Sequence, residues 1–186
     1  ILYQEGKRPK FLYFLITGKI KGCRTHDEGK EYITDIFVDG DFLGYSPLIE
    51  NTTYTDNAVV LEDAEVLQIP KEDFLQMVYH EINVANQFIR IITQNVKEKE
   101  ERLLNLAYSS LRKRVAESLV EIHRKFNTTG DTRTIDISRD DVARYVGTAT
   151  ESLIRTLSDF KSEKLIEIKE GKILVIDLER LNGLPY

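Results

Sequence analysis

Short apolar runs broken by glycine-bearing turns fill the first seventy residues. Leu12-Tyr13-Phe14-Leu15-Ile16 is apolar and aromatic, Thr17-Gly18 follows, and Lys19-Ile20-Lys21-Gly22-Cys23 alternates. This pattern predicts a hairpin with Gly18 in its turn. Asp27-Glu28-Gly29 reads as a second turn, leading into the strand Tyr32-Ile33-Thr34-Asp35-Ile36-Phe37-Val38. Asp39-Gly40-Asp41 turns into Phe42-Leu43, and Ala58–Leu61 and Ala64–Ile69 complete the series before Pro70. Short strands at near-regular spacing predict an antiparallel β-barrel or jelly roll.

The period then lengthens. Lys71 to Met77 reads as a short helix, and His80 to Leu106 contains no Pro or Gly. Ile82, Ala85, Ile89, Ile92, Val96, Lys99, Leu103 and Leu106 alternate spacings of three and four, the a/d seam of paired helices. Phe88 and Ile91 widen the apolar face enough to touch the barrel as well. A helix of roughly 27 residues spans ~40 Å, more than one small domain needs. A dimer seam therefore explains the pattern better than a single amphipathic core helix. Lys99 at a core position would weaken the seam locally or set its register.

Tyr108-Ser109-Ser110 interrupts this stripe, and Leu111, Val115, Leu119, Ile122 and Phe126 begin another. Asn127–Asp131 reads as a loop and Thr134–Ile137 as a short strand. Ser138 with Asp141 forms an N-cap variant, followed by the apolar positions Val142, Ala143 and Val146 and a stop at Gly147. Thr148 with Glu151 reads as a capping box that starts a second helix at once, with Leu153, Leu157 and Phe160 as its buried stripe. Two capped helices joined through one glycine fit a helix-turn-helix, although an ordinary helical hairpin has the same spacing. The outward face of the second helix is read as Thr150, Glu151, Ser152, Arg155, Asp159 and Ser162, side chains able to meet base edges or phosphates. Leu165–Ile168, the turn Lys169-Glu170-Gly171 and Lys172–Ile176 predict a hairpin that makes the module a winged helix, with Lys169 and Lys172 in reach of phosphate.

Composition narrows the classes. The 186 residues are 41% hydrophobic and 31% charged, ordinary globular values that exclude disordered and fibrous classes. No apolar run is long enough to span a membrane. The net charge of −5 hides an asymmetry: residues 1–107 hold 12 basic and 18 acidic side chains, residues 108–186 hold 14 and 13. Such a shift suggests units with different partners. The single cysteine, Cys23, excludes an internal disulfide and a four-thiolate iron–sulfur cluster, and fits a cytoplasmic setting. The three histidines His26, His80 and His123 are too scattered for a cupin-type metal site, and no catalytic triad, phosphate loop or carboxylate pair appears, so no enzyme and no metal site are expected. The opening at Ile1, without methionine and in mid-pattern, suggests missing N-terminal residues.

The ordered set of segments resembles the bacterial Crp/Fnr transcription regulators over essentially the whole chain. Leu12–Ile20 is similar to the family's aromatic strand-turn-strand, and Gly40-Asp41-Phe42-Leu43-Gly44 to its G-D-x-x-G turn. Asp140–Leu157 is similar to its V-G-x-x-x-E-(T/S)-x-x-R-x-L signature, and Lys164-Leu165-Ile166 to the G-L-I entry of the wing. Family members usually begin about two strands earlier, which agrees with the truncated start.

The resemblance implies an α+β protein in three parts: a sensor β-barrel (1–79, cyclic-nucleotide-binding-like), a dimerisation helix (80–107) and a winged helix-turn-helix (108–186). Glu151 and Arg155 stand where the family's Glu and Arg contact bases. Thr150 stands where cyclic-AMP-responsive members carry Arg, so the target sequence is expected to differ from theirs. Arg139, Thr148, Ser152, Lys169 and Lys172 complete the expected DNA-binding set, and Ala85, Ile89, Ile92, Val96, Leu103 and Leu106 the expected seam.

Gly44, Tyr45, Tyr54 and Thr55 mark the expected effector pocket, where cyclic-AMP binders carry Gly-Glu-Leu after the turn and Arg-Ser or Arg-Thr at the end of the cassette. Here Tyr45 follows Gly44, Tyr54 falls at the Arg position, and Lys99-Glu100 fall where those members meet adenine with Thr-Ser. These departures argue against cyclic AMP, since burying a phosphate without a cation costs several kcal/mol. Haem is disfavoured because Cys23 and His26 read as a buried small side chain and a surface histidine. The effector stays unknown. Expected partners are double-stranded DNA with a near-palindromic site, a second copy of the chain and RNA polymerase, with no membrane. The rival to a DNA-binding regulator is a ligand-sensing barrel protein that controls a protein partner without binding DNA.

Overall fold

The computed structural model describes residues 1–26, 29–127 and 134–184. They form two compact units, Ile1–Thr25 with Thr34–Leu104, and His26–Ile33 with Asn105–Tyr186. The expected turn residues Asp27 and Glu28, and the expected loop residues 128–131, lie outside the described set.

The first sheet is antiparallel and four-stranded, with β1 (Phe11–Thr25) at its centre. Strands β2 (Glu31–Phe37), β3 (Phe42–Leu43) and β4 (Asn57–Pro70) all pair with it, and the helix α1 (Tyr45–Ile49) lies between β3 and β4 in the chain. The predicted hairpin at Gly18 does not form. β1 runs straight through it, in register with β4 from Phe11 opposite Pro70 to Cys23 opposite Asn57. The register shifts between Leu15 and Ile20, where Gly18 adopts φ 105°. A β-bulge and a tight turn both call for a residue with positive φ, so the same glycine fits either, and here it bends one long strand. An added Cβ at Gly18 would stand 2.5 Å from the Asp63 carbonyl oxygen. Ala58–Leu61 and Ala64–Ile69 are likewise one strand, β4. The result is barrel-like without closing on itself, because the described strands are too few to complete a circle.

Apolar side chains gather on both sides of this sheet. Tyr3, Tyr13, Leu15, Ile20, Leu43, Tyr54 and Ala58 form one cluster, with Tyr3 stacked on Tyr54 at 3.9 Å between ring centroids. Leu12, Leu48, Phe74 and Phe88 form the other. It takes in α2 (Lys71–His80) through Phe74 and the 27-residue helix α3 (Ile82–Tyr108) through Phe88 and Ile91. Phe88 packs its ring against Phe42, Tyr45 and Phe74, so one side of α3 is anchored on the sheet as the widened apolar face predicts.

In the second unit, α4 (Leu111–Phe126) starts at Ser110, whose hydroxyl accepts the Lys113 amide, and buries Val115, Leu119 and Ile122. β5 (Thr134–Ile135) leads to α5 (Arg139–Val146) and α6 (Thr150–Ser162), followed by β6 (Ile166–Lys169), β7 (Lys172–Val175) and α7 (Leu178–Asn182). The three short strands form one sheet in the order β5-β7-β6. Val142, Val146, Leu153, Leu157, Phe160, Leu165, Ile173 and Val175 are buried, which gives this unit a core of its own. The hairpin turn consists of Glu170 and Gly171, both at positive φ, the geometry of a two-residue turn that follows the twist of its strands.

Candidate DNA-reading helix and effector cavity

The reading module is built from caps. Ser138 accepts the Asp141 amide at 3.0 Å and donates its hydroxyl to the Asp141 carboxylate at 2.8 Å. Gly147 ends α5 in the left-handed region, at φ 75° and ψ 49°. The Thr148 amide donates to the Ala143 carbonyl, closing that end. Thr148 therefore belongs to the close of α5, and the cap of α6 is Ala149, without a side-chain bond. The capping box predicted on Thr148 is corrected on this ground. Thr150, the first residue of α6, instead donates its hydroxyl to Asp140 Oδ1 at 2.8 Å and ties the start of α6 to α5.

On α6, Glu151, Arg155, Asp159 and Ser162 are exposed, while Thr150 and Ser152 are half-buried. The structure adds Ile154 and Ser158 to the exposed face, two residues absent from the predicted readers. Arg139 is half-buried at the start of α5, its Nη1 has no hydrogen-bond partner among the described residues, and desolvation lowers its pKa. Lys169 lies 3.5 Å from Glu167, and Lys172 lies 2.6 Å from Asp136. Both are surface ion pairs, weak enough for a phosphate to compete with. Lys164, which stands in the place of the family's glycine at the wing entry, has φ 61°, which shows why a glycine suits that position.

In the first unit, Gly44, Tyr45, Tyr54 and Thr55 all line one cavity of about 480 Å³, a size that suits a small organic ligand. Tyr3, Phe37 and Phe42 add apolar wall. The sequence reading missed Arg24, Asp35 and Asp56 on the sheet side; Lys99 of α3, which falls where cyclic-AMP binders meet adenine, lines the cavity as well. Lys99 Nζ stands 4.0 Å from Asp35 Oδ2, so the lysine expected in the dimer seam faces the cavity. Burial raises the Asp56 carboxyl to about 6, and the positive charges of Lys99 and Arg24 hold it from rising further. Asn95 Nδ2 donates to Tyr45 Oη at 2.5 Å, and burial raises the Tyr45 and Tyr54 hydroxyls. Ile92, Asn95 and Val96 complete the α3 wall, so two residues expected in the seam also border the cavity.

A row of apolar side chains along α3 is exposed, with Val96 at its edge beside the cavity. Ile82, Ile89, Val96, Leu103 and Leu106 are all exposed, Ile89 by 59% and Leu103 by 66%, while Ala85 is half-buried. No helix of the described residues is long and apolar enough to cross a membrane. Among the described residues no cluster of His, Cys, Asp and Glu could hold a metal ion.

The first unit thus carries a ligand-sized cavity and the second a helix-turn-helix. Residues 1–81 match the cyclic nucleotide-binding domain model, and residues 113–184 match the Crp-like helix-turn-helix domain model. A CRP-like cAMP-activated global transcriptional regulator of Mycobacterium tuberculosis is 24% identical over 183 residues, spanning 97% of this chain and 82% of that protein. A fumarate and nitrate reduction regulatory protein of Yersinia pestis is 26% identical over 191 residues, spanning 99% and 76%. Among solved structures, FixK2 from Bradyrhizobium japonicum superposes with a TM-score of 0.88 at 20% identity, covering 100% of this chain and 92% of that one. The chain belongs to the Crp/Fnr family and is a DNA-binding transcription regulator; that family consists of regulators, not enzymes.

Proposed function

We propose that the chain acts as a homodimer in which α3 pairs with its copy and sets two reading heads on a near-palindromic duplex. The observation that carries this reading is the row of exposed apolar side chains on α3, which water would otherwise cover at a cost of about 25 cal/mol per Å². The seam comprises Ala85, Ile89, Ile92, Val96, Leu103 and Leu106, with residues 80–107 as the dimerisation segment between a sensor (1–79) and a head (108–186). Half-sites lie about one helical turn, ~34 Å, apart. In each head α6 enters the major groove. Arg155 and Glu151 read base edges, Thr150 and Ser152 lie beside them, and Arg139, Thr148, Lys169 and Lys172 hold phosphates.

The cavity holds a small effector other than cyclic AMP. Its two cations face two carboxylates, and Tyr54 stands where cyclic-AMP-responsive relatives place an arginine, so the wall is balanced rather than positive. Among the residues that line the cavity there is no histidine or cysteine, so nothing in its wall favours haem. Because Ile92, Asn95, Val96 and Lys99 of α3 form part of the cavity wall, an occupant alters the helix that carries the seam, and DNA affinity follows the arrangement it favours. RNA polymerase is the expected further partner and the cytoplasm the expected setting. The rival without DNA binding draws no support from the match of residues 113–184 to a helix-turn-helix.

A gel-shift titration tests the reading. Affinity for duplex DNA should fall steeply between roughly 50 and 200 mM salt as counterions compete for the phosphates. No binding to any duplex at low salt would contradict it.

A further inference from the structure

We propose that Ile154 is a specificity-determining residue that recognises the 5-methyl group of one thymine in each half-site. The inference rests on the reading of α6 as the helix that enters the major groove. The buried stripe of α6 is complete without Ile154: Leu153, Leu157 and Phe160 are at most 1% exposed. Ile154 is 48% exposed, more than Ile168 at 36% or Ile176 at 40% in and beside the wing hairpin. Nothing local favours it. An exposed helix position is better served by Lys, Glu, Gln or Arg, since a β-branched chain lowers helix propensity and gains nothing from water.

Its neighbours give it a use. Ile154 lies three residues after Glu151 and directly before Arg155, both exposed on the same helix. Ser158, one turn further on, donates its hydroxyl to the Ile154 carbonyl at 3.0 Å and so spends its donor within the helix. The outward face thus offers an acid, a base and one apolar group between them. In the major groove the one apolar feature of a base edge is the thymine methyl. A β-branched side chain in a helix holds one strongly preferred rotamer, so it can meet that methyl with little loss of freedom.

The test selects duplexes from a random pool with the full chain and then replaces each thymine of the enriched site by uracil, one at a time. At one thymine per half-site, uracil should weaken wild-type binding about fourfold, the worth of one buried methyl-sized group. Ile154→Ala should bind the thymine and uracil forms equally and melt with the wild type. Equal losses for wild type and variant at every thymine would overturn the assignment while leaving DNA binding in place. A variant that melts several degrees lower would also overturn it, because the side chain would then be holding the fold. Failure of the pool to enrich any duplex would overturn both the inference and the reading beneath it.

Discussion

The cavity and the reading helix hold their charges in opposite ways. In the cavity, Asp56 is desolvated enough to lift its carboxyl to about 6, and Arg24 and Lys99 face it from a wall of aromatic rings. On α6, Glu151 and Arg155 stand in solvent, and rigidity comes from caps and a glycine rather than from burial. A sensor needs groups whose state an occupant or a proton can change. A reading head needs groups that keep one charge and one position until DNA arrives. The two units also depend on glycine differently. Gly18 sits where backbone crowds it, whereas a Cβ at Gly147 would meet only the side chains of Leu106 and Tyr32 at ordinary contact distance, so that position needs chiefly its left-handed conformation.

That contrast predicts a graded set of outcomes. The largest is Gly18→Ala, which adds a Cβ against the Asp63 carbonyl at a positive φ and should destabilise the sensor by about 2–4 kcal/mol in urea unfolding. Gly147→Ala should cost only about 1 kcal/mol, and the two would have to match for the contrast to fail. Arg155→Ala should weaken binding to the selected duplex by roughly 1–3 kcal/mol and relax preference at one base pair, without changing sensor stability.

Asp56 gives the pH arm. Its folded pKa lies above the ordinary aspartate value, so the native state binds the extra proton, and stability falls as pH rises from about 4 through about 6. Asp56→Asn should remove that slope and gain about 1–2 kcal/mol above pH 6, a figure already reduced for partial solvent screening. An unchanged slope in the variant's pH series of unfolding free energies would place the titration elsewhere. The smallest effect is in the head: Lys164→Gly should gain up to about 1 kcal/mol in melting experiments by relieving the positive φ at the wing entry.

The head was the more legible of the two units because its determinants are local. Ser138, Gly147 and the buried stripe at 153, 157 and 160 state their roles through spacing alone, and the structure places them accordingly. The box assigned to Thr148 fails because its amide is already used to close α5, a bond no spacing reveals. Ile154 escaped notice because an apolar residue on a helix is ordinarily assigned to the core. In the sensor, Gly18 marks a special backbone position without saying whether the chain turns or bulges. The cavity is the least legible part. Gly44, Tyr45, Tyr54 and Thr55 could be picked out through the G-D-x-x-G turn and Lys99 through the adenine-contacting position of the family, but Arg24, Asp35 and Asp56 are brought to the same wall only by the fold. Lys99 reads as a seam position by heptad spacing, yet a long side chain can leave the seam and reach a neighbouring acid.

All of this turns on two copies pairing along α3, and sedimentation of the full chain with its Ile89→Glu variant tests that most directly. Ile89 is exposed in the single chain and does not line the cavity, so the substitution probes the seam and leaves the sensor intact. The wild type should sediment at twice the 21.5 kDa of one chain. The variant, with two like charges forced into the seam at a cost on the order of 3–5 kcal/mol, should sediment as one chain at the same micromolar concentration. A wild type that sediments as a single chain, or a variant that stays paired, would contradict the account.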